Sequence, residues 1–151
     1  MKILLDTNII TGLCEKERRE PVVQAIRRSR VHGHELYLVP QVIYEFWVVA
    51  TRPAAGNGLG LSAADASLKI DGALRAFAFL GERTETYRHW YDLVRKNRVL
   101  GKSAHDAKLV AAMRACGFDA IMTSNASHFR RYNVQVIDPR GNEVMKAEKL
   151  K

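Results

Sequence analysis

The chain has 151 residues, about the size of one domain, and 24 Lys and Arg against 16 Asp and Glu leave a net charge of +8. A hydrophobic content of 47% with 26% charged residues excludes a mainly disordered chain, and 10 Gly with 4 Pro exclude a collagen-like or low-complexity one. The basic excess points to a polyanionic partner, most simply nucleic acid.

The elements follow in chain order. Ile3–Leu5 is a short apolar run ending in Asp6-Thr7-Asn8, the pattern of a buried strand entering a helix cap. A helix opening at Pro21 carries Val22, Val23, Ala25 and Ile26 and stops near Gly33. Leu36–Val39 reads as a second strand, and Pro40 starts a helix that runs through Ala50 and ends before Pro53. Residues 53–61 form a loop. Ser62 and Asp65 have capping-box spacing ahead of a helix with Ala66, Ile70, Ala73, Leu74 and Phe77 on one stripe, closed by Gly81. Two more helices carry Tyr87, Trp90, Tyr91 and Val94, then Ser103 to Cys116 closed by Gly117. Ala120–Met122 and Val134–Ile137 are the last strands, and residues 140–151 read as a polar tail beyond a domain of residues 1–139. Short apolar strands alternating with helices predict the α/β class, with a mainly parallel sheet covered on both faces.

No apolar run approaches the ~18 residues needed to cross a bilayer, and Asp6 cuts short any signal-peptide core, so no membrane association is expected. An anionic membrane surface as the partner would call for a basic amphipathic helix at a terminus. Cys14 and Cys116 stand far apart without metal-ligand spacing, which excludes a zinc finger or disulfide framework and predicts a reducing, cytoplasmic setting.

Four positions have chemistry to explain. In an open parallel sheet ligands bind beyond the carboxyl ends of the strands, where Asp6 stands, although capping a helix is an equally ordinary task for it. Glu45 lies within Val42-Ile43-Tyr44-Glu45-Phe46-Trp47-Val48-Val49, so burial must be compensated by a cation, a proton or a metal, with an Arg ion pair as the plain alternative. Asp106 follows Ser103 at capping-box spacing, yet it also shares the inward stripe of Leu109, Val110 and Met113. Asn125 follows Ala120–Met122 as Asp6 follows Ile3–Leu5; alone it is a turn residue. Clustered carboxylates repel one another and persist with divalent cations or raised pKa values, and oxygen-only ligands suit Mg²⁺ or Mn²⁺.

The set resembles the PIN-domain nucleases, most closely the VapC-type ribonuclease toxins of toxin–antitoxin pairs. The resemblance rests on Leu4-Leu5-Asp6-Thr7-Asn8, Val42-Ile43-Tyr44-Glu45-Phe46-Trp47, Gly101-Lys102-Ser103-Ala104-His105-Asp106-Ala107 and Ile121-Met122-Thr123-Ser124-Asn125, in that order across residues 2–139. It implies a three-layer α/β/α sandwich and a Mg²⁺- or Mn²⁺-dependent endoribonuclease with Asp6, Glu45 and Asp106 as its catalytic, metal-holding acids. It also implies support from Thr7 or Asn8, a small antitoxin as partner, and a homodimer. Asn125 stands where many relatives have Asp, and His128 where some have Asp. Two further readings stay open: a non-toxin PIN nuclease of RNA processing, and a catalytically impaired RNA-binding module, to which Asn125 points.

Lys102, close in sequence to Asp106, and Arg130-Arg131 are candidate RNA contacts, set against the alternative of solvated charges. His105 and His128 read more simply as surface or helix-start residues than as general acids, and Tyr87, Trp90 and Tyr91 as packing more than base stacking. No P-loop and no Ser-His-Asp order is present, and Asp6-Thr7-Asn8 lacks the second Asp of a haloacid-dehalogenase phosphatase.

Overall fold

A computed structural model of the chain describes residues 1–141. Five strands, β1 (Lys2–Leu5), β2 (Glu35–Leu38), β3 (Ala78–Phe79), β4 (Ala120–Met122) and β5 (Gln135–Ile137), alternate with six helices. These are α1 (Thr7–Cys14), α2 (Lys16–Val31), α3 (Pro40–Thr51), α4 (Ala63–Ala76), α5 (Glu85–Lys96) and α6 (Ser103–Cys116). The strands form one parallel sheet in the order β3-β2-β1-β4-β5, flanked by helices, as the α/β reading predicts.

The sheet explains why its strands read as unbroken apolar runs. Ile3, Leu4 and Leu5 of β1 and Ala120, Ile121 and Met122 of β4 are fully buried, because helices cover both faces. Each large side chain so buried contributes about 1.5–3 kcal/mol relative to exposure. From β1 the chain builds outward through β2 and β3, then returns to add β4 and β5 on the other side. The strand order therefore reverses between β1 and β4, and the crevice past their carboxyl ends is where such sheets hold ligands.

Three elements differ from their sequence reading. The helix expected from Pro21 begins at Lys16, with Arg19 N–H donating to the Glu15 carbonyl (3.0 Å). Pro21 falls in its second turn, where the missing N–H forfeits a single backbone bond on an exposed stretch. Helix α4 stops at Ala76 rather than near Gly81, because Phe77 turns extended to bury its ring and residues 78–79 pair with Tyr37 and Leu38 as an edge strand. A two-residue strand made by a distant partner leaves no periodic signal. At Ser103 the capping box does not form: Lys102 precedes the helix, and no side chain caps it. At Ser62 the cap itself forms, with Asp65 N–H donating to Ser62 Oγ (3.1 Å).

The loop of residues 53–61 folds back on the end of α3, its Leu59 and Leu61 amides donating to the Val49 and Ala50 carbonyls. Only glycine fits at Gly58, since a Cβ would collide with the Arg52 carbonyl. Of the expected tail, Arg140 is anchored by Asp138 and donates to the Ser124 carbonyl (3.0 Å), and residues 142–151 lie outside the described residues. Among the described residues no helix is long and apolar enough to cross a membrane.

Candidate active site

Register brings the first pair of site residues together. Leu5 of β1 lies beside Met122 of β4, so the residues just beyond them, Asp6 and Thr123, face each other at the switch point. Asp6 caps α1, its Oδ1 accepting from Thr7 N–H (2.7 Å), while Oδ2 accepts from Thr123 Oγ1 (2.7 Å) and Asn8 Nδ2 (2.8 Å). Asp6 thus both caps α1 and lines the cleft past the strand ends. Burial pushes its pKa from 3.8 up to about 6, against the pull of the Thr123 and Thr7 hydrogen bonds, and the charges of Asp106 and Glu45 add to the rise.

Thr123 is the residue that sequence reasoning passed over in favour of Asn125. Its buried hydroxyl donates to Asp6 and accepts from Asn8 Nδ2 and Asn125 N–H, both at 3.0 Å. The available signal was positional: in adjacent parallel strands, whatever follows β4 stands next to whatever follows β1. Asn8 adds a second tie, its Oδ1 accepting from Ser124 N–H (2.9 Å).

Glu45 is brought over this pair by α3. The helix is not buried all round as its composition predicts; Tyr44, Trp47 and Val48 are exposed, and the Glu45 side chain is 33% exposed at the cleft. Among the described residues no Arg pairs with it. Its Oε2 accepts from Thr7 Oγ1 (2.8 Å) and its Oε1 from Gln41 Nε2 (2.8 Å), with His105 Nδ1 at 4.0 Å. The two residues after Asp6 therefore divide their work: the Asn8 side chain holds Asp6, and the Thr7 side chain holds Glu45.

Asp106 sits in the first turn of α6, and with no capping bond its carboxylate faces the cleft, where His128 Nδ1 approaches to 3.2 Å. Burial raises its pKa and the nearby Glu45 charge adds to this, while His128 pulls it down. Both histidines read as surface residues are exposed, yet each stands beside a site carboxylate.

Asp6, Glu45 and Asp106 line one open cleft of about 580 Å³ together with Thr7, Asn8, Asn125 and Lys102. Arg52 from the end of α3 adds a cation that sequence reading did not single out. Arg130 and Arg131 are exposed on the turn that carries His128 but do not line the cleft. Among the described residues no three His, Cys, Asp or Glu side chains are grouped tightly enough to hold an ion by themselves. The donors are all oxygen, and their mutual repulsion is the kind a cation relieves. They fit a hard ion such as Mg²⁺, which keeps several waters and needs only one or two carboxylates.

Comparison with known proteins bears on the fold and the family. The family model described as PIN domain matches residues 3–135, from β1 into β5. Among solved structures, the chain is similar to VapBC2 from Rickettsia felis bound to a promoter DNA fragment (13% identity, TM-score 0.67, covering 87% of this chain and 92% of that one). It is likewise similar to VapBC-1 from nontypeable Haemophilus influenzae (19%, TM-score 0.64, 92% and 98%). A third is Mycobacterium tuberculosis VapC20, a sarcin–ricin loop cleaving toxin (18%, TM-score 0.55, 79% and 86%). The comparison with curated proteins gave no match. At these identities the structures speak for the fold, and the family model covers the strands and helices that build the cleft, so the chain belongs to the PIN-domain family.

Proposed function

We propose that this chain is an endoribonuclease working with Mg²⁺ or Mn²⁺, and the toxin of a toxin–antitoxin pair. The observation that carries the reading is the convergence of Asp6, Glu45 and Asp106, from a strand end and two helices, on one cleft of a chain with net charge +8. The H. influenzae and R. felis neighbours, VapBC assemblies, and the RNA-cleaving toxin of M. tuberculosis support it by likeness of fold.

In this reading Asp6 and Asp106 would hold the ion, and Glu45 would either share it or act as the base for the attacking water. A divalent ion bound there supplies water activation and neutralises charge building on the phosphate and the leaving oxygen. Thr7 and Gln41 aim the Glu45 carboxylate. Asn125 orients a water or a phosphate oxygen without adding charge. Lys102 at the cleft draws in the phosphate backbone, and Arg130 and Arg131 extend the basic surface along it. The partner is a small antitoxin whose tail covers the cleft, an Arg of that tail pairing with the carboxylates; the toxin acts as a homodimer in the cytoplasm.

The test is RNA cleavage by the wild type and by Asp6→Asn in Mg²⁺, Mn²⁺ and EDTA. The expected result is cleavage that needs the metal and falls about 10²–10³-fold in the variant. Cleavage that survives EDTA overturns the metal mechanism. RNA binding without cleavage by the folded wild type favours the impaired binding module, and activity unaffected by the product of an adjacent short reading frame favours a non-toxin nuclease.

A further inference from the structure

The row of residues just past the sheet does not stop at Asp6 and Thr123. Met122 of β4 pairs with Ile137 of β5 as Leu5 pairs with Met122, so Asp138 is the third member of that row. Thr123 N–H ties the two strand ends by donating to the Ile137 carbonyl (3.0 Å). Asp138 is buried, at 7% exposure, and does not line the cleft. Its charge is met by Arg140: Oδ1 accepts from the Arg140 N–H (2.9 Å) and Nε (3.0 Å), and Oδ2 accepts from Nη2 (2.6 Å). These side-chain bonds hold the Asp138 carboxyl below the usual carboxylate range against the opposing effect of burial, so the pair is charged at neutral pH.

The bond from Asp138 to the Arg140 backbone is an Asx turn, an ordinary way to leave a strand. The guanidinium goes further. Its Nη2 also donates to the Ser124 carbonyl (3.0 Å), and a side chain 60% exposed is kept from swinging into solvent by its fork on a buried carboxylate. Ser124 and Asn125 share a peptide group, and both its polar atoms are then engaged, the carbonyl by Arg140 and the N–H by Thr123 Oγ1 (3.0 Å). The peptide before it is fixed by Ser124 N–H on Asn8 Oδ1 (2.9 Å). Asn8 therefore pins this segment at the cleft, and Arg140 pins it from outside the cleft. The pair at 138 and 140 lies beyond residues 3–135, which the family model matches.

We propose that Arg140, locked on Asp138, is a positioning residue that sets the orientation of the Ser124–Asn125 peptide and so the presentation of Asn125 to the cleft. The catalytic consequence rests on the nuclease reading above; the fixing of the peptide does not.

Amide hydrogen exchange in the metal-free protein reads the peptide without RNA. Arg140→Ala should speed exchange of the Asn125 N–H about tenfold while the amides of β1 and β4 stay protected. Arg140→Lys, which keeps the charge and loses the fork, should do nearly the same. Unchanged exchange at Asn125 in both folded variants overturns the proposal. With RNA, both should lower kcat about tenfold with KM unchanged, and so should Asp138→Asn, which leaves the Arg140 charge in place. The Asp138→Asn, Arg140→Ala double variant should lose little more than either single one, because the two residues act as a unit. A raised KM that the lysine variant restores would make Arg140 a phosphate contact and overturn the positioning role. A wild type that cleaves no RNA defeats the nuclease reading, while the exchange rates still decide whether Arg140 fixes the peptide.

Discussion

The two ends of the cleft are built differently. At the Asp6 end a carboxylate 6% exposed is gripped by three donors, two of them side chains locked to each other through Thr123. At the Asp106 end a half-buried carboxylate has one exposed histidine beside it at 3.2 Å. Desolvation raises both acids, but Asp6 meets it with fixed hydrogen bonds and Asp106 with a partner whose charge depends on protonation. The contrast assigns rigidity to the switch point of the sheet and adjustability to the start of α6.

The strongest way to test the rigid end is its electrostatic cost. A pKa raised from 3.8 to about 6 means that the folded, metal-free chain holds this proton more tightly than the unfolded one. Stability from this group is therefore greatest below pH 3.8 and is lost as pH rises through 6, by roughly 3 kcal/mol. Urea unfolding in EDTA at pH 4 and pH 7 should show the wild type losing about that much relative to Asp6→Asn. A difference that does not change with pH would place Asp6 in a far wetter setting. Added Mg²⁺ should recover stability at pH 7 in the wild type and not in the variant.

Breaking the grip comes next. Thr123→Val removes one donor to Asp6 and leaves Asn8 Nδ2 and Asn125 N–H short of an acceptor. Cleavage should drop about 10–100-fold and stability by about 1–3 kcal/mol, read from single-turnover rates and melting curves. At the adjustable end, His128→Ala removes the group that pulls the Asp106 pKa down. The Asp106 titration followed by NMR in the metal-free protein should move to higher pH, with only a few-fold loss of activity. Equal losses from the Thr123 and His128 variants would erase the distinction between the two ends.

The smallest effect is expected at the rim. Lys102→Ala should weaken RNA binding a few-fold and lessen the slope of log K against log salt by about one, as for a single phosphate contact. Arg131→Ala, whose side chain does not line the cleft, should change binding less.

Reading the residues went furthest where the signal was local. Buried strands declared themselves as apolar runs at β1 and β4, Ser62 capped its helix as spaced, and Gly117 closed α6 with a positive φ of 70°. Glu45 stood out because a carboxylate among aromatic and aliphatic neighbours demands compensation. The compensation itself was not legible: it comes from Thr7 and Gln41, neutral donors, where an Arg or a bound ion is the obvious guess. Asp106 had the spacing of a cap and is not one, since the identical pattern at Ser62 works only because the backbone there approaches the helix in an extended conformation.

By itself, then, the sequence determined the class of the fold, the basic character of the molecule and the identity of its three isolated acids, since these depend on residue type and short-range periodicity. Tertiary structure alone decided that the acids share a cleft, and that Thr123 faces Asp6 across two strands more than a hundred residues apart in the chain. Those are consequences of register and packing between distant segments, which no local pattern encodes.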